Sequence, residues 1–310
     1  MFRPKIIVVT GPTATGKTAL GALLAKNMGG EVVSADSMQV YRGMDIGTAK
    51  PTPPERLGVP HHMIDIVSPE ESYSVARYIS DASACIDGII RRGSLPVLVG
   101  GTGLYIDSLL SGRTFAAYND PGLRRSLEAE YDEVGGQEML LRLGGFDRES
   151  AARLHSNDKK RIVRAFEVYK ATGKTISQHD LETKSIPPRY DAYKFALDYE
   201  DRAALYHRIG LRVDAMLSSG LFEEVRGLLD AGIPQGCTAM QAIGYKEMSG
   251  AVLGRCSVGE AVDEIKMESR RYAKRQLTWL RRDPDVKWTR WGLKPDIECA
   301  AKRILCGMNL

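Results

Sequence analysis

The stretch VVTGPTATGKTAL, residues 8–20, constrains the fold more than any other part of the chain. An apolar, β-branched run, KIIVVT (5–10), leads into Gly11, with Gly16, Lys17 and Thr18 closing a G-x-x-x-x-G-K-[ST] turn. The helix-forming segment TALGALLAKNM follows and is ended by Gly29-Gly30. Strand, turn and helix in this order make a phosphate loop. Backbone N–H groups at a helix N-terminus face an anion, and the helix dipole favours negative charge there. Gly11, Pro12, Thr13, Ala14, Thr15, Gly16, Lys17 and Thr18 are therefore the expected phosphate-binding residues. Lys17 can bridge phosphate oxygens, and the Thr18 hydroxyl can ligate Mg2+.

Further strands are expected at EVVSAD (31–36), HMIDIV (62–67), PVLVGG (96–101), KFALDY (194–199) and VKWTRW (286–291). Between them, residues 74–92 place Val75, Tyr78, Ile79, Ala82, Ile86, Ile89 and Ile90 at helical spacing. A second helix is expected near 103–111, long helices over 201–282, and a last one in KPDIECAAKRIL with proline near its first turn. Strand–helix alternation implies a parallel sheet with crossover helices. After Gly112 the signals become purely helical, with Asp120 and Asn157 as expected N-caps. The reading is an α/β fold, a P-loop NTPase-like parallel sheet flanked by helices, formed by residues 1–114 and 194–310. An all-helical insertion occupies 115–193.

Apolar residues at 43% and charged residues at 26% are ordinary for a soluble globular chain. No apolar run approaches the roughly 18 residues that cross a bilayer. The N-terminal segment runs directly into the first strand, so a cytoplasmic address is expected. Five cysteines, with no C-x-x-C pair, argue against a disulfide framework and a zinc finger. The net charge of +4 says little, but residues 264–294 hold ten Lys/Arg against four Asp/Glu. Arg271, Arg275 and Arg282 are expected on one face there, a surface suited to a polyanion.

The phosphate loop lacks an obvious Walker-B carboxylate, because PVLVGG ends in two glycines and Asp65 falls inside its own expected strand. Asp36 ends the second strand, at the carboxyl edge where ligands of open α/β sheets bind. It reads equally as a base acting on an acceptor and as an N-cap or water-mediated Mg2+ contact. GGTGLY (100–105) is either a place where a ligand approaches the backbone or simply a tight strand-to-helix turn. In KKRIVRAFEVYKATGK (159–174), Lys160 or Arg161, together with Arg164, is expected on an exposed side, and Ile162, Val163, Phe166 and Tyr169 inside.

Together these segments resemble the tRNA dimethylallyltransferases, or tRNA isopentenyltransferases. The stretches that carry the resemblance include GPTATGKT (11–18), SADSMQVYRGMDIGTAKP (34–51), VPHHMIDIVSPEESYSV (59–75), PVLVGGTGLYIDSLL (96–110), NDKKRIVRAFEVYKATGK (157–174), RIGLRVDAML (208–217) and RRYAKRQLTWLRRDPDVKW (270–288). The resemblance implies transfer of a dimethylallyl group from dimethylallyl diphosphate to N6 of the adenosine 3′ of the anticodon. The loop would then hold the donor's diphosphate rather than ATP, and the insertion would grip the anticodon stem-loop. It implies Asp36 as the catalytic carboxylate, Thr13 and Arg212 as diphosphate contacts, and Lys17 and Thr18 at the diphosphate and Mg2+. It implies tRNA contacts at Asp36, Ser37, Met38 and Gln39, at Thr102 and Arg124, and at Lys160, Arg161, Ile162, Val163 and Arg164. Arg125 offers itself beside Arg124, and Lys160 stands where the family usually has Gln. Membrane association is not expected, and a monomer is.

Three rivals share part of this pattern. A P-loop nucleoside or nucleotide kinase shares the loop and an Asp36 base but leaves the insertion and the basic helix idle. An isopentenyltransferase acting on free AMP, ADP or ATP needs no tRNA-gripping insertion. A non-catalytic RNA-binding protein does not need Thr13, Lys17, Thr18, Asp36 and Arg212 together.

Overall fold

The computed structural model describes residues 3–112, 120–184 and 186–308. The chain divides into two compact units, Met1–Leu110 with Arg189–Leu310, and Ser111–Pro188. The 114/115 boundary expected from sequence lies outside the described residues.

The first unit is built on a parallel sheet. Its elements are β1 (Lys5–Thr10), α1 (Lys17–Asn27), β2 (Gly30–Ser34), β3 (His61–His62), α2 (Val75–Arg91), β4 (Leu95–Val99) and α3 (Gly103–Leu110). The second unit holds α4 (Pro121–Val134), α5 (Gly136–Gly144), α6 (Arg148–Arg153), α7 (Lys159–Thr172) and α8 (Ile176–Lys184). The chain then returns with β5 (Asp191–Tyr199), α9 (Arg202–Ser218), α10 (Leu221–Asp230), a 3-10 turn (Ala239–Gln241), α11 (Tyr245–Val252), α12 (Val258–Leu280), β6 (Lys287–Trp291) and α13 (Ile297–Cys306). Among the described residues, no helix is long and apolar enough to cross a membrane.

The strands lie in the order β3-β2-β4-β1-β5-β6, all pairs parallel, with Ile7 beside Val97 and Tyr193. Both faces of the sheet are covered, so its central strands β1 (KIIVVT) and β4 (LPVLV) are almost continuously apolar, while the edge strands β3 and β6 are more polar. Ile6, Val8, Val33 and Leu98 pack with Tyr78, Ile86 and Ile106 of α2 and α3, and with Tyr245 and Met248 of α11. Ile7, Val9, Val32 and Val97 pack on the other face with Leu20 and Leu24 of α1, Leu205 and Ile209 of α9, and Ile304 of α13. In the second unit, Leu127, Met139, Leu143, Ile162, Val163 and Phe166 form a separate core.

Several local expectations need correction. The expected strand 62–67 shrinks to His61–His62, because Met63 and Asp65 take φ of 62° and 58°. The chain turns there so that Asp65 can pair with the buried Lys50 ammonium, which also holds Asp45. Helix α7 is preceded by Asp158 rather than capped by Asn157. Pro295 lies before the cap of α13, where Asp296 accepts from the Cys299 N–H. Asp120 does cap α4, accepting from Gly122 and Leu123. Tyr169 is not an inward residue. It is 37% exposed, and its ring stacks on Phe146 at 4.1 Å. The basic face of α12 is also less uniform than expected, since Arg271 pairs with Glu268 and Arg282 lies past the helix end.

Candidate active site

The sheet order explains why distant segments meet. β4 lies between β1 and β2, so the turns after these three strands stand side by side at the carboxyl edge. The ladder continues into those turns: Gly100 N–H donates to Val9 O, Ala35 N–H to Val99 O, and Thr102 N–H to Ala35 O. The phosphate loop, Asp36 and the second glycine-rich turn thereby share one wall. That wall lines a cavity of about 1280 Å3, to which α9 adds Arg208 and Arg212 and α12 adds Tyr272 and Gln276. Small-molecule sites typically run to about 300–1,000 Å3, so this cavity has room for more than one small ligand.

The phosphate loop is tied down from inside and outside. Thr15 Oγ1 and Lys17 Nζ both donate to Pro12 O, at 2.8 and 2.7 Å. Trp291 Nε1 donates to Thr15 O at 2.9 Å, and Tyr199 OH to Ala14 O at 3.4 Å. Gly11 has φ +142°, and a Cβ there would lie 2.5 Å from Leu197 O. Only glycine lets the loop pass this close to β5. Arg212 Nη1 donates to Thr13 Oγ1 at 2.8 Å, which leaves the Thr13 proton free to point elsewhere. Among the described residues the Thr18 hydroxyl has no protein partner, and it faces the cavity.

The two cations of this wall are electrostatically unusual. Burial pushes the Lys17 ammonium down to about 7; the Arg212 charge adds to this and the Asp36 carboxylate opposes it. Burial also lowers Arg212, again against Asp36. Both groups are therefore short of negative charge, a state that an incoming polyanion relieves.

Asp36 stands two residues beyond β2, not at its last position. Its Oδ1 accepts from Met38 N–H at 2.9 Å and Gln39 N–H at 3.4 Å, an Asx turn that fixes the carboxylate. The Oδ2 atom has no partner among the described residues. Ser37 N–H donates to Thr102 Oγ1 at 3.1 Å, which joins the Asp36 turn to the second glycine-rich turn. Gln39 is a structural clasp as well, accepting from Ser34 Oγ and donating to Thr48 and Ala49 O. Tyr272, beside Thr102, has its hydroxyl pushed up to about 12, mainly by burial and then by Asp36.

The candidate RNA contacts divide between the units. Asp36, Ser37, Met38 and Gln39 line the cavity just described, and Thr102 is joined to them by accepting the Ser37 N–H. On the second unit, Arg161 is 75% exposed, and Lys160 is exposed beside it. Arg164 is held by the buried carboxylate of Glu167 at 2.8 Å, and Arg124 pairs with Glu128 on α4. Ile162 and Val163 are fully buried in the helical core, so their side chains hold α7 in place and do not reach a ligand. Sequence reasoning missed Gln276 and Tyr272. The only signal was a Tyr and a Gln one turn apart in the mostly basic and apolar stretch 270–282.

Residues 39–283 match the family described as IPP transferase, and residues 4–65 match isopentenyl transferase. A tRNA dimethylallyltransferase of Carboxydothermus hydrogenoformans is 47% identical over 308 residues, covering 98% of each chain. The chain belongs to the tRNA dimethylallyltransferase family. The family member from Geobacillus kaustophilus is 49% identical over 285 residues, 92% of this chain and 90% of its own. Among solved structures, the tRNA isopentenylpyrophosphate transferase of Bacillus halodurans aligns at a TM-score of 0.71 and 42% identity, covering 98% of this chain and 96% of that one. A eukaryotic dimethylallyltransferase, solved acting on tRNA, aligns at 0.79 and 30% identity, covering 93% of this chain and 74% of its own.

Proposed function

We propose that this dimethylallyltransferase moves the five-carbon group of dimethylallyl diphosphate to N6 of the adenosine 3′ of the anticodon in tRNA. The observation that carries the reading is the single cavity in which Thr13, Lys17 and Arg212 face Asp36. A cationic, hydrogen-bonding wall suits a leaving diphosphate, and a fixed carboxylate opposite suits an attacking amine. A hydrolase would instead need a water held in line, and a kinase would need this wall to serve a γ-phosphate.

Adenine N6 is a weak nucleophile because its lone pair is delocalised into the ring. In the transfer, the C–O bond of the donor breaks, a C–N bond forms, and the N6 proton leaves. The Asp36 Oδ2 atom takes that proton while Oδ1 stays anchored by the Met38 N–H. The departing diphosphate gains charge, which Lys17 and Arg212 offset and to which Thr13 donates its proton. The base must leave its stack to enter the cavity, at about a few kcal/mol. The exposed Lys160 and Arg161 support backbone contacts that would recover part of this.

The donor set also suits Mg2+. Among the described residues, no three His, Cys, Asp or Glu side chains are arranged to hold a metal. Mg2+ is commonly held through substrate phosphates, water and one or two protein oxygens. The Thr18 hydroxyl is the oxygen available on the loop. When bound, Mg2+ supplies charge neutralisation on the diphosphate. A tRNA substrate supports a cytoplasmic site of action.

The test is incubation with labelled dimethylallyl diphosphate, Mg2+ and either tRNA or AMP. Label in tRNA, at the nucleoside beside the anticodon, is expected. Label in AMP alone would replace this reading with free-adenylate transfer.

A further inference from the structure

We infer that Gln276 is the positioning residue that sets the Thr13 hydroxyl against the donor diphosphate. The inference rests on the reading of the loop as a diphosphate site.

Gln276 lies in the last two turns of α12 and is only 6% exposed. Both ends of its amide are used. Oε1 accepts the Thr13 N–H at 3.0 Å, and Nε2 donates to Gly101 O at 2.9 Å. The Thr13 N–H is therefore turned to α12 and withdrawn from the phosphate-binding set. What Thr13 offers a ligand is its hydroxyl, and that hydroxyl is steered on its other side by Arg212. Gly101 is shaped to the same contact, since a Cβ there would come to 2.2 Å from Gln276 Nε2. One amide thus joins the turn after β1 to the turn after β4.

The chemistry demands this side chain. Thr13 presents a donor and Gly101 an acceptor, so the bridging group needs an acceptor at one end and a donor at the other. Glutamine meets both demands. A glutamate carboxylate has the same shape but sets an anionic oxygen against Gly101 O and beside the phosphate loop. A protonated glutamic acid restores both bonds, its C=O accepting from Thr13 and its O–H donating to Gly101. A buried carboxyl facing a carbonyl titrates above the ordinary carboxylate range. Gln276→Glu therefore carries its own chemical rescue, which a purely structural role would not produce.

The experiment uses the full chain with dimethylallyl diphosphate, Mg2+ and tRNA, comparing Gln276→Glu and the nearly isosteric Gln276→Leu with the parent. A reacting group displaced by about 1 Å loses on the order of 100-fold in rate. At about pH 8, Gln276→Glu is expected to fall by roughly that factor in kcat/KM for the donor, with KM for tRNA unchanged. Relative to the parent, it recovers about tenfold or more by about pH 6, as the introduced carboxyl protonates. Gln276→Leu shows no such recovery. If Gln276→Leu fails to fold, as circular dichroism would show, the pH rescue of Gln276→Glu carries the test. Calorimetric binding of pyrophosphate with Mg2+ reads the loop without the transfer reaction. The same weakening and the same recovery are expected there. A variant-to-parent ratio that is flat with pH, or pyrophosphate affinity equal to the parent's, overturns the assignment. A parent that transfers nothing, with pyrophosphate binding still rescued by acid in Gln276→Glu, refutes the transfer reading and leaves the positioning role standing.

Discussion

Lys17 gives the sharpest quantitative consequence of the site. Its ammonium is held down to about 7 by burial and by Arg212, against the pull of Asp36. At pH 9 the free enzyme then carries only about 1% of this group protonated. A bound diphosphate restores the proton, because an adjacent anion favours the charged amine. Donor affinity should therefore fall above pH 7, by about tenfold per pH unit at the limit and about 50-fold between pH 7 and 9. A phosphate's own second ionisation, near about pH 6, lies below this window. Stability moves the other way. Between about 7 and the unfolded value near 10.5 the unfolded chain binds more protons, so the ligand-free enzyme gains stability from Lys17 as pH rises. Calorimetry of dimethylallyl diphosphate binding with Mg2+ from pH 6 to 9, in buffers of different ionisation enthalpy, reads both affinity and proton uptake. Close to one proton should be taken up per donor bound above about pH 8. Lys17→Arg, whose guanidinium stays charged, should flatten the profile. A flat profile in the parent, or an equally steep one in Lys17→Arg, would refute the account.

Asp36→Asn removes the proton acceptor but keeps the Asx turn, so turnover should drop by about 100- to 10,000-fold while donor affinity holds. Single-turnover kinetics with labelled donor check it, and normal turnover would remove Asp36 as the base. Lys160→Glu with Arg161→Glu should raise KM for tRNA several-fold and leave the donor Kd alone, read by filter binding at two salt concentrations. Arg164 is a poor choice for this test because its loss would strand the buried Glu167. Glu224 accepts from the N–H groups of Asp45, Ile46 and Gly47 and from Tyr245 OH. Glu224→Ala should cost about 2–4 kcal/mol in urea unfolding, roughly the worth of one or two hydrogen bonds to a charged group, because water reaches this half-buried clamp and replaces the others. A loss below about 0.5 kcal/mol would show that the 45–47 loop does not depend on this clamp.

Legibility followed sequence distance. The phosphate loop could be read directly because strand, turn and helix are local, and each residue's task follows from its neighbours. Asp36 could be placed at a strand end, but its choice between base and cap could not be read. That choice depends on what β4 and β1 set beside it. The third strand was misread because HMIDIV is apolar enough for a strand, while the Lys50 ammonium that bends it away comes from another segment. Arg212 was reached only through family resemblance, since nothing in RIGLRVDAML separates it from Arg208 as a ligand.

The sequence by itself determined a parallel α/β sheet, a phosphate loop on its first strand and a helical insertion, because periodicity and glycine placement act over a few residues. Tertiary structure alone decided which of the many polar side chains enter the cavity. The bonds from Gln276 to Thr13 and Gly101 span 263 and 175 positions. No local pattern encodes a contact of that span. It exists because the strand order brings three turns together and α12 lies across two of them.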